Sequence, residues 1–120
     1  MGSLLVHITH GIEAPTRVAL GFLVAKTAME AGHDVTVFLA GDAVVLVKDD
    51  VIASVSGVGL GALADHLPPL VEAGVPIYVS MLSAKARGVT EDELEGKGAR
   101  FARPADLVDQ VFRADRVLTY

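Results

Sequence analysis

Apolar residues in this chain gather into short continuous blocks set between helical repeats, and the blocks define the frame. Leu4 to Thr9 (LLVHIT) is apolar and partly β-branched, and it runs into His10 and Gly11, so it predicts a buried strand ending in a loop. His33 to Ala40 (HDVTVFLA) has Val35, Val37 and Leu39 alternating with Thr36, Phe38 and Ala40, the pattern of a strand covered on both faces. Between the two, Pro15 stands at a first helical position. Val18, Phe22, Ala25 and Met29 then recur at three- and four-residue spacing until Gly32 stops the helix. Strand, helix and strand in so short a span imply a right-handed parallel crossover. Leu20, Leu23, Val24 and Ala28 on the helix's other sides exceed what one sheet contact needs, which predicts packing against another subunit. Gly21 predicts a close approach.

The second half repeats the alternation with more interruptions. Gly41 and Asp42 turn the chain into AVVLV, read as a short helix capped by Asp42, with a further strand as the alternative. Lys48 to Gly61 reads as a loop or weak edge element. Leu63, Leu67, Leu70 and Val71 are helical in spacing, but Pro68 and Pro69 remove two amide donors, so a kink or restart is expected before Gly74. After Pro76, IYVS is a third parallel strand, followed by MLSAKARG as a short helical turn. Thr90 and Glu93 form a capping box for EDEL. An extended piece at Arg100 to Ala102 leads to PADLVDQVFRAD, a helix with Leu107, Val108, Val111 and Phe112 on one side, and RVLTY is the last strand. The expectation is one α/β/α domain over residues 1–120 with a mainly parallel sheet of four or five strands.

Composition sharpens this picture. The mean hydropathy of +0.49 is high for one small core, and it predicts buried subunit contacts. A net charge of -5 argues against nucleic acid, whose binding rests on neutralising many phosphates. The apolar N-terminal run is broken by His7 and His10 well short of the roughly 20 residues a membrane span needs, so a cytoplasmic protein without a membrane partner is expected. The chain has no Cys, which removes disulfides, thiolate nucleophiles and Cys-rich zinc patterns.

In an open parallel sheet, ligands bind at the carboxyl ends of the strands and the helix starts beyond them. That rule assembles Thr9, His10 and Gly11 from the first strand, Gly41 and Asp42 from the second, and Ser80, Met81 and Ser83 from the third, with Lys85 and Arg87 following. Unpaired amides and two cations at one edge suit a small anion. The plain alternative for Ser80 and Ser83 is capping of the next turn. His10 suits proton shuttling or donation to an anion, with a hydrogen-bonded packing role as its alternative. His7 reads as a hydrogen-bonded, satisfied interior or interface residue, His33 as a turn residue and His66 as a surface residue. No HxH, HxxxH or HExxH spacing supports a metal, although a remote pairing of His10 with Asp42 stays open. VSM around Ser80 is not a GxSxG elbow, and HGIEAPT is neither phosphate-loop pattern, so no cofactor is expected. The acidic run at Glu91, Asp92, Glu93 and Glu95 reads as a solvated helix start, and Met81 and Leu82 read as core-packing residues, with contact at the sheet edge as the alternative.

The blocks ITHG, PTRVALGFLVAKTAMEAGHDVTVFLAGDAV, GVPIYVSMLSAKARGV and ADRVLTY, in that order, resemble the DsrE/DsrF-like family of YchN-like fold over nearly the whole chain. The resemblance implies a small parallel α/β protein assembled as trimers or hexamers. It also implies sulfur relay or sulfur oxidation through a persulfide on a cysteine directly after the third strand. The family cysteine stands eight residues before the glycine of the RG pair, which here is Ser80, and in some relatives three residues further on, at Ser83. A serine forms no persulfide by thiol exchange, so the sulfur-carrier role does not transfer. The expected function is a non-catalytic oligomeric binding or assembly protein, with a protein partner, small anion or metabolite at His10, Gly11, Gly41, Asp42, Ser80, Ser83, Lys85 and Arg87. The alternative is an enzyme or accessory subunit in intracellular sulfur metabolism that works without a cysteine persulfide.

Overall fold

A computed structural model describes all 120 residues. The order is β1 (Ser3–Ile8), α1 (Pro15–Glu30), β2 (Asp34–Leu39), a 3-10 helix (Gly41–Val47), α2 (Asp49–Ser54), β3 (Ser56–Gly57), β4 (Gly61–Ala62), α3 (Leu63–Glu72), β5 (Ile77–Ser80), α4 (Met81–Ala86), a second 3-10 helix (Glu91–Leu94), β6 (Ala99–Ala102), α5 (Pro104–Arg113) and β7 (Arg116–Thr119). Five strands form one sheet in the order β6-β5-β2-β1-β7, and every neighbouring pair is parallel. The continuous apolar blocks are therefore the central strands, and the domain is a parallel α/β fold as the sequence predicts.

Strand order decides which face each helix covers. From β1 through β2 and β5 to β6 the chain steps one way across the sheet, so right-handed crossovers place the intervening helices on one face. The return from β6 to β7 crosses the whole sheet in the opposite sense and puts α5 on the other face. The first face is thick: Val6, Ile8, Val37, Leu39, Ile77 and Val79 pack with Val18, Phe22, Val44, Leu46, Leu63, Leu67 and Leu70 in a cluster of 22 buried residues. The second is thin: Leu5, Phe38 and Ala102 are its only clustered buried residues, with Leu107 and Ala114 of the α5 segment among the side chains against them. Five strands at about 4.8 Å spacing span roughly 19 Å, whereas one helix is about 10 Å wide. One ten-residue helix cannot cover such a face.

A register row on this thin face is occupied by Thr119, His7, Phe38, Tyr78 and Arg100. His7 meets Phe38 edge to face at 6.0 Å, Phe38 stacks on Tyr78 at 6.2 Å, and the Arg100 guanidinium lies 5.5 Å from the Tyr78 ring centre. His7 is half-buried, its Nε2 has no hydrogen-bond partner, and burial pushes its pKa below the ordinary value.

Several expectations are corrected here. Leu20, Leu23, Val24 and Ala28 of α1 are half-buried, because α3 and the β3–β4 hairpin lie against the helix. Gly57 permits that contact: a Cβ there would come within 2.6 Å of the Ala19 Cβ. Gly21, read as allowing close approach at a subunit contact, lies against Ile8 and Tyr120 of its own chain. The Lys48 to Gly61 stretch, read as a loop or weak edge element, contains α2 and β3, and β3 pairs with β4 in a two-residue hairpin apart from the main sheet. AVVLV is helical, in 3-10 form, but Asp42 lies inside its first turn and does not cap it. Pro68 and Pro69 do not restart α3, which runs unbroken because buried Leu63, Leu67 and Leu70 hold it on the core. His66 is buried, not on the surface; its Nε2 lies 2.6 Å from the Leu60 carbonyl and secures the hairpin. His33 sits in the turn as expected, its Nδ1 accepting from the Gly2 amide at 3.0 Å. On α5 only Leu107 of the predicted apolar side turns to the sheet, while Val108, Val111 and Phe112 are exposed.

The His7 environment makes stability pH-dependent in a defined direction. Its folded pKa lies below 6.5, so the unfolded chain binds the proton more readily, and stability falls as pH drops below 6.5 toward the folded value. The urea midpoint of the wild type is expected to decrease across that window, and His7→Gln is expected to flatten the decrease. Glu93, Asp106 and Asp115, whose carboxyls are held below their ordinary values of 4.5, 3.8 and 3.8 mainly by backbone N–H donors, act only at lower pH.

Candidate functional site

The carboxyl ends of β1, β2 and β5 bring most of the predicted residues together. Gly11 is buried where the loop after β1 lies directly on the loop after β2, and any Cβ there would collide with the Asp42 carbonyl. Gly41 has φ +58, and its amide donates to the Ser83 Oγ at 2.9 Å. Ser80 ends β5 and starts α4 as its N-cap, its Oγ accepting from the Ser83 amide at 3.3 Å. Both serines are thus capping and cross-linking groups, and neither hydroxyl hydrogen-bonds a histidine.

Charges in the crevice neutralise one another. Arg87 donates from Nε at 3.2 Å and from Nη2 at 3.0 Å to the same Asp42 carboxylate oxygen, and from Nη1 at 3.3 Å to the Ser83 carbonyl. This ties α4 to the β2 loop. Across the crevice, Glu13 accepts from the Gly11 amide with both carboxylate oxygens, at 2.7 and 3.0 Å, and its Oε1 lies 3.4 Å from His10 Nδ1. The remote pairing of His10 with Asp42 therefore does not form: each has a different partner. Lys85 is exposed and joins none of the chain's ion pairs. A shallow recess of about 250 Å³ between the two loops is lined by Ile12, Glu13, Asp42 and Val45.

Glu13 is the residue that sequence reasoning missed. Its signal was an acid two residues past Gly11 and just before Pro15, close enough for its side chain to return to the loop's own amide. At the edge of the crevice Met81 and Leu82 stand 45% and 66% exposed, which corrects the core-packing reading of both. In the acidic run, Glu93 is more than a solvated charge: it accepts from Lys48 at 2.9 Å and from the Thr90 amide at 2.9 Å, completing the predicted capping contact. No group of three or more His, Cys, Asp or Glu side chains converges on a metal position.

Ser83→Ala removes the acceptor for the Gly41 amide and is expected to cost about 1 kcal/mol of stability. Urea unfolding checks this, with a lower midpoint at unchanged slope.

Two solved structures share the architecture. The crystal structure of the ychN protein from E. coli superposes with a TM-score of 0.82 at 20% identity, covering 100% of both chains. A conserved protein of unknown function from Bacteroides thetaiotaomicron gives a TM-score of 0.66 at 14% identity, covering 99% of this chain and 95% of the other. No curated protein matches the sequence. Residues 2–120 match the DsrE/DsrF-like family, and with the parallel fold and a serine, Ser80, closing its third long strand, the chain belongs to that family as a member without cysteine.

Proposed function

We propose that this chain is a cytoplasmic homo-oligomeric binding or assembly protein, trimeric or hexameric, in which apolar surface carries the function. One observation supports the reading above all: Val108, Val111 and Phe112 of α5 are 54%, 39% and 86% exposed, and Val117 and Leu118 of the edge strand β7 are 37% and 42% exposed. Such side chains grouped on two consecutive elements form a contact surface, since removing apolar area from water contributes about 25 cal/mol per Å². A second copy of the chain also covers the open edge of β7, whose backbone is paired on one side only. No helix is long and apolar enough to cross a membrane, so this apolar material is not a helical span.

In this reading the whole chain acts as one unit, and the crevice holds a small anion or metabolite among His10, Gly11, Gly41, Asp42, Ser80, Ser83, Lys85 and Arg87. The Gly11 amide supports a place for an anion, because it already binds the Glu13 carboxylate. Lys85 is the unpaired cation nearby in sequence, whereas Arg87 joins only by leaving Asp42. The absence of cysteine removes the thiol needed for persulfide transfer, so binding is favoured over sulfur carriage.

Size-exclusion chromatography with light scattering tests the assembly. At micromolar concentration the wild type is expected at the mass of three or six chains, and Phe112→Asp is expected to shift it toward the monomer with unchanged far-UV circular dichroism. A strictly monomeric wild type overturns the reading.

A further inference from the structure

A different recess carries a site that the crevice reading does not use. Beneath α5, at the amino-terminal end of the sheet, lies an open-sided cavity of about 370 Å³. Its polar lining includes Asp34, Thr36, Tyr78, Gln110 and Arg113. Gln110 and Arg113 are three residues apart, on the flank of α5 away from the exposed Val108 and Phe112.

Ser3, which also lines the cavity, bonds Asp115, but Gln110, Asp34 and Arg113 keep unengaged polar groups. Gln110 Oε1 is shielded from solvent and has no hydrogen-bond partner. Leaving such a group unpaired is unfavourable, and a bound molecule relieves it by supplying the missing hydrogen bond. Asp34 and Arg113, of opposite charge, line the same cavity, and neither takes part in any ion pair of the chain. The neighbouring recess at Gly2, His33 and Asp115 differs, because its polar atoms bond one another: His33 accepts from Gly2 and Asp115 from Ser3.

We propose that the cavity beneath α5 binds a compact zwitterion, with the free α-amino acid as the simplest member of the class. The carboxylate of the ligand pairs with Arg113, its ammonium with Asp34, and a donor on it satisfies Gln110. The side chains of Tyr78, Leu5 and Pro76, which line the cavity, receive the apolar part. A volume of about 370 Å³ lies at the small end of the usual range for ligand sites, roughly 300–1,000 Å³, which fits a ligand of this size.

The test is a two-dimensional amide NMR titration of the full chain with each of the free L-amino acids. At least one is expected to shift the amides of Asp34 to Thr36, Tyr78 and Gln110 to Ala114 in a saturable way, leaving those of Gly11, Gly41 and Ser83 in place. For that amino acid, Gln110→Leu and Arg113→Gln are each expected to weaken binding about tenfold or more, as for lost charge-assisted or buried hydrogen bonds. The N-acetylated and carboxamide forms of the same amino acid are expected to weaken it similarly. Arg113 is exposed, so its variant keeps the test valid if Gln110→Leu disturbs folding. Silence from every amino acid, shifts confined to the crevice, or equal binding by Arg113→Gln overturns the proposal.

Discussion

The rest of the structure depends on the return of the chain from β6 to β7. That single crossover carries the polypeptide from one edge of a five-stranded parallel sheet to the other, and right-handedness places its helix alone on the second face. Every other helix lies opposite, where 22 buried residues form the main core. Stability therefore resides on one side of the sheet. The thin side keeps what a fuller cover would hide: the His7, Phe38, Tyr78 and Arg100 row, the cavity under α5, the exposed apolar residues of α5, and Val117 of β7, in register with Leu5. The high apolar content of the chain fits this division, because the excess lies where a second copy can reach it.

The crevice at the carboxyl ends of the strands has a different economy. Its glycines bring two loops into backbone contact, its serines join α4 to the β2 loop, and its charges are matched internally. Where the family resemblance places a sulfur-bearing thiol, Ser80 provides a cap for α4. One side chain therefore keeps the local fold and removes the nucleophile. Glu13 supplies the anion that the loop amide attracts, so an incoming anion has to compete with a tethered carboxylate.

The strands were legible because full burial on two faces demands unbroken apolar runs, and Leu4 to Thr9 or Asp34 to Leu39 admit few other readings. Glycine stops, the Ser80 cap and the Thr90–Glu93 contact were legible for similar local reasons. What escaped was long-range. The burial of His66 depends on a hairpin only two residues deep on each side, and the unbroken course of α3 through Pro68 and Pro69 depends on leucines anchored elsewhere in the core. The outward turn of Val108, Val111 and Phe112 depends on which flank of α5 meets the sheet, and helical periodicity alone does not fix that choice. In the site, residue types and their convergence were readable, but the partners of His10 and Asp42 were set by Glu13 and Arg87 across loop geometry.

The central claim is that the α5–β7 side is covered by further copies of the chain. Hydrogen–deuterium exchange followed over a dilution series tests it most directly, because amides in these two elements report their own covering. The account predicts that protection in Pro104–Arg113 and Arg116–Thr119 rises with protein concentration while β1 and β2 stay uniformly slow. Exchange in α5 and β7 that is fast and independent of concentration would contradict it.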